Sequence, residues 1–252
     1  MKRNFWILIA VILTFTGIDA NAQRWKLRRY ELDFGISAVP FYGDIGRANK
    51  PFANAFNGLR PSIGVTPRFM IRQDLAVSLD LTYLMFGGKD VEGETHGRVY
   101  SFNSNVFQHY ARIEYFLLGT AGGLGGGIYN RRGMVNNYNR LQVYLYAGAG
   151  GILSSAKVID EEGNEPIDNP GYLPGTHYGF GFPVGGGFKM SLDPRWSIGL
   201  EMGYHFTTTD LLDGYQSDWS DYKDTYYLVT LKAVYRIRND KRGRPIFNKY
   251  YR

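Results

Sequence analysis

The chain of 252 residues has no cysteine, carries only 21% charged side chains, and beyond its first 22 residues has no apolar run long enough for a helical membrane span. Each shortage removes a class. Without cysteine there is no disulfide framework, no thiol nucleophile and no Cys-ligated zinc site. Without about 20 consecutive apolar residues no helix can cross a hydrocarbon core. What is abundant is glycine (32 residues) and aromatics (20 Tyr, 16 Phe, 4 Trp). That composition suits neither a disordered chain, which is poor in aromatics, nor a coiled coil, which is built from Ala, Glu, Lys and Leu.

Residues 1–22 read as a secretory signal peptide: Lys2 and Arg3 precede an apolar stretch from Phe5 to Phe15, and Ala20-Asn21-Ala22 supplies small residues for cleavage. Eleven apolar residues are too few for an anchor of about 20. No cysteine follows to carry a lipid, so the expected mature chain, starting at Gln23, is not a lipoprotein.

From there the apolar period is two, the period of strands. Between 196 and 207, Trp196, Ile198, Leu200, Met202, Tyr204 and Phe206 share one face, opposite Ser197, Gly199, Glu201, Gly203, His205 and Thr207. The same alternation predicts strands near 30–39, 60–72, 74–86, 105–118, 140–155, 177–191, 195–207 and 225–237. Long connections at 40–59, 87–104, 156–176 and 208–224 alternate with short ones at Gln73 and Leu192-Asp193-Pro194. The exception is the glycine-rich connection 119–139, which could hide a further hairpin.

The apolar face of these strands holds no Asp, Glu, Lys or Arg, and His109 is its one histidine. The opposite face carries Glu31, Asp33, Asp80, Glu114 and Glu201 with Arg68, Arg72, Arg112, Lys189, Lys232 and Arg236. A soluble sandwich buries its apolar face, whereas an outer-membrane barrel turns it to lipid, where a mid-bilayer charge costs about 2–4 kcal/mol. The signal peptide, strands of ten or more residues, alternating loop lengths and aromatics near strand ends point to the barrel. The expectation is an all-β, eight-stranded antiparallel up-and-down transmembrane barrel over residues 23–237, in the outer membrane of a Gram-negative cell and in contact with its lipid.

Eight strands enclose a space that side chains fill, so the inward acids and bases should form a plugging ion-pair network, and an open porin is not expected. Arg112 and Glu114 could pair with Glu31 or Lys232. Gly148, Gly150, Gly179, Gly181, Gly185 and Gly187 would make room for Arg and Lys arms, and His205 would sit beside Glu201.

Signals for chemistry are weak. Gly119 to Gly127 (GTAGGLGGG) fits neither G-x-G-x-x-G nor a P-loop. His96, His109, His177 and His205 include no i, i+4 pair for a metal. Asp160, Glu161, Glu162, Glu165 and Asp168 lack a spaced calcium pattern. A lipid-modifying enzyme would need His109 beside a serine. Asp210, Asp213, Asp218, Asp221 and Asp224 with Trp219 and Tyr222 suggest an exposed binding loop. Asp44 reads as a turn cap. No catalytic, cofactor or metal site is assigned, and the chain is expected not to be an enzyme.

Three segments carry a resemblance: Tyr42-Gly43-Asp44-Ile45, Arg112-Ile113-Glu114-Tyr115-Phe116, and the run PRWSIGLEMGYHFTTTDLLD from Pro194 to Asp213. Together they resemble the PorG-like family of small outer-membrane barrels associated with the type IX secretion system. The family tends to read Thr-Asp-Tyr-Leu-Asp-Asp where this chain has Thr209-Asp210-Leu211-Leu212-Asp213-Gly214. The resemblance implies a non-enzymatic barrel that docks periplasmic proteins, among them a secretion ring of a lipoprotein and its partner. Alternatives are a lipid-modifying enzyme and an adhesin-like or membrane-integrity barrel.

The formal charge of +6 invites a nucleic-acid reading until it is placed along the chain. Arg24, Lys26, Arg28 and Arg29 make one expected end of the mature chain basic. The tail 238–252 makes the other basic through Arg238, Lys241, Arg242, Arg244, Lys249 and Arg252, with Ile246, Phe247, Tyr250 and Tyr251 as apolar anchors. The long loops are acidic in sum. Nucleic acid is therefore not an expected partner, and both ends of an even-stranded barrel should meet an acidic partner or surface in the periplasm.

Overall fold

The computed structural model describes residues 29–39, 41–42, 45, 60–72, 74–90, 99–118, 129–130, 133–134, 141–192, 195–216, 223–237, 239 and 245. Alternating, aromatic-rich segments take extended backbone and form eight barrel strands: β1 (Tyr30–Val39), β2 (Arg60–Met70), β3 (Leu75–Lys89), β4 (Ser101–Leu118), β5 (Leu141–Ile159), β6 (Gly175–Ser191), β7 (Trp196–Thr207) and β8 (Thr225–Ile237). Each pairs antiparallel with its neighbours, and β1 closes onto β8 from Tyr30↔Ile237 to Ala38↔Val229. The result is a closed eight-stranded up-and-down barrel, whose closure leaves no open sheet edge.

The faces are inverted relative to a soluble protein. Ile36, Met202 and Leu231 on the outside are 66%, 60% and 61% exposed, while Glu114, Arg68 and Arg236 inside are 0%, 2% and 2%. Hydrocarbon is the solvent that makes this arrangement stable, because an outward apolar belt around a polar interior is the pattern of a transmembrane barrel. On β7 the outward row from Trp196 to Phe206 spans ten steps of about 3.3 Å. At a tilt of roughly 40° it rises about 25 Å, the height of such a belt. Ring pairs mark its two edges: Tyr30–Phe69 and Trp196–Tyr235 at the rim of the chain ends, Tyr204–Phe206 and Tyr204–Tyr227 at the opposite rim. No described helix is long and apolar enough to cross a membrane, so the strands do the crossing.

Two prolines show in the pairing. Ladder contacts skip from Val65↔Leu81 to Arg68↔Ser78 beside Pro67, and from Ala147↔Val184 to Gly150↔Gly181 beside Pro183, each without a change of register. Proline has no N–H to donate, and the long neighbouring ladders hold the register across the gap.

Several strands run past the sequence-derived bounds. β3 reaches Lys89, β4 starts at Ser101, β5 reaches Ile159 and β6 starts at Gly175. Within 119–139, Tyr129–Asn130 pairs with Gly133–Met134 as a two-stranded unit of its own and adds no strand to the barrel. Arg72 is not on the lumen face: it lies exposed in the turn after β2, 3.4 Å from Asp74, because strand alternation ends at Met70.

Candidate functional site

The lumen is the site, and it is filled in layers. Near the chain-end rim every barrel strand contributes to one polar network. Arg68 on β2 meets three carboxylates: Glu31 at 2.9 Å, Asp33 at 2.8 Å and Glu114 at 2.6 Å. Glu31 in turn takes Lys189 at 2.5 Å and Arg236 at 3.1 Å. Glu201 takes Arg112 at 2.9 Å, Lys232 at 2.6 Å and the Tyr144 hydroxyl at 2.7 Å. Arg112 also reaches Glu114 at 3.4 Å and Asp80 at 3.9 Å. The structure thus brings Glu31, Asp33, Arg68, Asp80, Arg112, Glu114, Lys189, Glu201, Lys232 and Arg236 together, five acids against five bases. Low-dielectric burial requires this balance, because an unpaired charge there is costly.

The partners differ in detail from those expected by sequence. Arg112 bonds Glu201 rather than Glu31, and Glu114 bonds Arg68 rather than Lys232, since strand tilt and stagger decide which arms meet across the lumen. Neutral hydroxyls complete the set. Ser78 donates to Glu114 at 2.5 Å, Thr66 and Thr82 to Asp80 at 3.1 and 2.9 Å, and Arg236 donates to Ser191 and Ser197. Parity places all of these inward in the sequence, but polar neutral residues carry no charge signal there.

The inward glycines serve tyrosines more than cationic arms. A Cβ at Gly187 would lie 2.8 Å from the Tyr144 hydroxyl oxygen, and one at Gly185 2.6 Å from that of Tyr146; one at Gly181 would collide with Tyr110. Gly148 alone of these makes room for an arm, with Arg112 Cγ at 2.9 Å. The tyrosines become platforms. The Arg112 guanidinium lies 4.5 Å from the Tyr146 ring centre and that of Arg68 5.5 Å from Tyr144, a cation–π arrangement.

Above the charges, Gln108 donates to Asp80 at 2.8 Å and accepts from Tyr226 at 2.6 Å, and Tyr226 meets Tyr110 at 3.0 Å. His205 is not beside Glu201. Its buried ring stacks on Tyr226 at 4.5 Å and makes no hydrogen bond within the described residues, because four residues of strand carry it well up the lumen from Glu201.

The far mouth is closed by an apolar plug. Leu84, Phe86, Phe102, Val106, Ile152 and Val158 pack with Ile45, Tyr172, Leu212 and Tyr215, which come from the loops. Asp213 accepts from the backbone N–H of Ile45 and of Tyr215, both at 3.0 Å, and Asp224 accepts from Leu212 N–H at 2.9 Å. Tyr172 and Tyr215 form a β-bridge, and the Leu211 carbonyl accepts from Ser154 at 3.2 Å. For the described aspartates of the 208–224 loop, this corrects the reading of an exposed acidic surface. Asp213 and Asp224 are buried caps of their own loop, and Asp210 is buried 3.7 Å from Lys223. Asp218, Trp219, Asp221 and Tyr222 lie outside the described residues, as do His96 and Asp44.

His109 faces outward, opposite Leu81 on β3 and Gly151 on β5, between the rings of Phe107 and Tyr178. Ser155, on the neighbouring strand, is four residues beyond Gly151, so the register brings no β5 serine to the imidazole. In the 160–168 loop Glu165 bonds Lys157 at 3.0 Å and Tyr172 at 3.1 Å, and Asp160 caps Asn164 N–H at 2.8 Å. Among the described residues no three His, Asp or Glu side chains converge as metal ligands do.

Of the expected docking residues, Arg24, Lys26, Arg28, Arg238, Lys241, Arg242, Arg244, Phe247, Lys249 and Tyr250 lie outside the described residues. Arg29 is described, and its carbonyl accepts from Met70 N–H at 2.8 Å. Asn239 is buried and bridges Pro245.

No family model and no curated protein matches this chain. Solved structures do. The attachment invasion locus protein Ail of Yersinia pestis is 12% identical with a TM-score of 0.43, covering 83% of this chain and 98% of that one. A major outer membrane protein from Thermus thermophilus is 16% identical with a TM-score of 0.44, over 82% and 99%. Outer Membrane Protein W of E. coli is 13% identical with a TM-score of 0.42, over 83% and 97%. The closed strand register, rather than these likenesses, carries the fold.

Proposed function

We propose that the chain is a non-enzymatic integral barrel of the outer membrane that works at its rims, docking periplasmic proteins of a secretion machine of the type IX kind. The observation that carries this reading is the sealed lumen. Ion pairs from Glu31 to Glu201 fill one half and the loop plug from Ile45 to Tyr215 the other, which leaves the rims as the surfaces free to act. The barrel closes by pairing Tyr30 with Ile237, so the segments before β1 and after β8 leave from one rim. In sequence these segments are basic, with Phe247, Tyr250 and Tyr251 as anchors of the kind that dominate protein contacts. An acidic periplasmic surface fits them, and the resemblance at Pro194 to Asp213 supplies the link to secretion.

Deleting residues 238–252 and assaying export in cells that retain the barrel tests this. Export should fall while barrel abundance and heat-modifiable mobility stay unchanged. Normal export from the truncated barrel would end the docking role.

A further inference from the structure

Beyond the rim of the chain ends, the opposite rim carries a second charged surface, on the outer wall of β2–β5. The outward faces of β3, β4 and β5 change chemistry along their length. Tyr83, Phe107, Leu153 and Tyr178 lie along one continuous register row, Tyr83↔Phe107↔Leu153↔Tyr178, and form the top of the apolar belt there. Above it the outward positions of β4 turn polar (Asn105, Asn103, Ser101), beside Ser155 and Lys157 on β5 and Lys89 on β3, with Met85 and Ile159 the apolar exceptions. No outward strand position above that row holds Asp or Glu.

The bases converge. Gly87 leaves its outer face free, and the Arg60 guanidinium lies over it: a Cβ there would sit 2.9 Å from Arg60 Nε. The same guanidinium reaches Asn103 Oδ1 at 3.4 Å. Asn103 pairs with Gly87 on one side and Lys157 on the other, and Lys89 pairs with Ser101 one step up. With neighbouring strands about 4.8 Å apart, the three bases surround Asn103 within about 10 Å. Lys157 is bonded to Glu165 and keeps further N–H donors, while Arg60 and Lys89 are exposed. The interior of this wall is the apolar plug, so its strands stand rigidly above the belt.

We propose that Arg60, Lys89, Lys157 and Asn103 form a docking site for the phosphorylated saccharide headgroup of an outer-leaflet glycolipid. Charge and height select this occupant. Four residues of tilted strand above the aromatic row rise about 10 Å, which with long Arg and Lys arms reaches the polar layer of about 5–8 Å over the hydrocarbon. Phosphate there meets a guanidinium fork, two ammonium groups and an amide donor. Of the rim's acids, Glu161 and Glu162 sit in the loop rather than on the wall, and Glu165 reaches from that loop to Lys157 alone of the three bases, at 3.0 Å, leaving Arg60 and Lys89 to the headgroup.

Native mass spectrometry of the whole barrel, titrated with a bisphosphorylated lipid A-type glycolipid, its dephosphorylated form, or inorganic phosphate, tests the site. The wild type should retain the bisphosphorylated lipid selectively. R60Q/K89Q/K157Q should bind it weaker by on the order of a hundredfold, at roughly fivefold for each base beside an anionic headgroup. N103D, which adds a carboxylate without removing a base, should weaken it too, and K223Q, at the same rim but off the wall, should not. Far-UV circular dichroism and heat-modifiable mobility would verify that each variant is folded. Equal retention of the dephosphorylated lipid, an unchanged triple variant, or equally tight binding of inorganic phosphate would overturn the proposal.

Discussion

Glu31 is the residue on which the buried network turns, because three cations, Arg68, Lys189 and Arg236, converge on one carboxylate. Removing one partner of a buried pair strands the others, at a cost of about 3–5 kcal/mol. Glu31→Ala should therefore lower the unfolding free energy in lipid vesicles by that order. Glu31→Gln, which keeps the shape and an accepting oxygen, should cost less. Equal stability of Glu31→Ala and wild type by urea titration would show that the network contributes nothing net. Outside the membrane, Glu165 gives a pH dependence. Hydrogen bonds from Lys157 and Tyr172 hold its carboxyl below the ordinary range. A depressed folded value means that the contact stabilises the 160–168 loop above the ordinary carboxylate value of about 4.3 and is lost as pH falls through the lowered one. Amide exchange at Asn164 and Ile167 should quicken on acidification, and Glu165→Gln should flatten that response.

At the scale of elements, the period of two gave the eight strands and their inward faces because each strand meets lipid on one side and polar partners on the other. The alternation from Trp196 to Thr207 could be read residue by residue. Strand ends could not: the tops of β3, β4 and β5 rise past the apolar belt, where outward Lys89, Ser101, Asn103 and Lys157 look like loop residues. The role of the 208–216 segment was also hidden. An aspartate that caps backbone N–H groups inside a mouth and one that waits for a ligand in solvent have the same sequence, and only the approach of Ile45 and Tyr215 to Asp213 distinguishes them. Asp213→Ala should accordingly loosen the plug while leaving the strands paired. It would leave buried N–H groups unsatisfied, at about 1–3 kcal/mol, and should speed amide exchange at Ile45 and Tyr215 ahead of β7 and β8. Simultaneous, global acceleration would show that the plug and barrel open as one unit.

Over the whole molecule, charge is sorted by compartment. Among the described residues the lumen balances five acids against five bases, while in sequence the segments before β1 and after β8 are basic and the connections 156–176 and 208–224 are acidic. Which inward arms pair was not legible, because pairing across a lumen follows tilt and stagger that no single strand encodes. That the lumen is filled was legible, from strand number and inward charge together. A barrel sealed from rim to rim has its work at its surfaces, and the most direct test of that claim is electrical. The wild-type barrel, reconstituted into a planar bilayer, should hold the baseline current at moderate voltage. A steady, ion-selective conductance from the same folded protein would contradict the sealed lumen and return the chain to the class of channels.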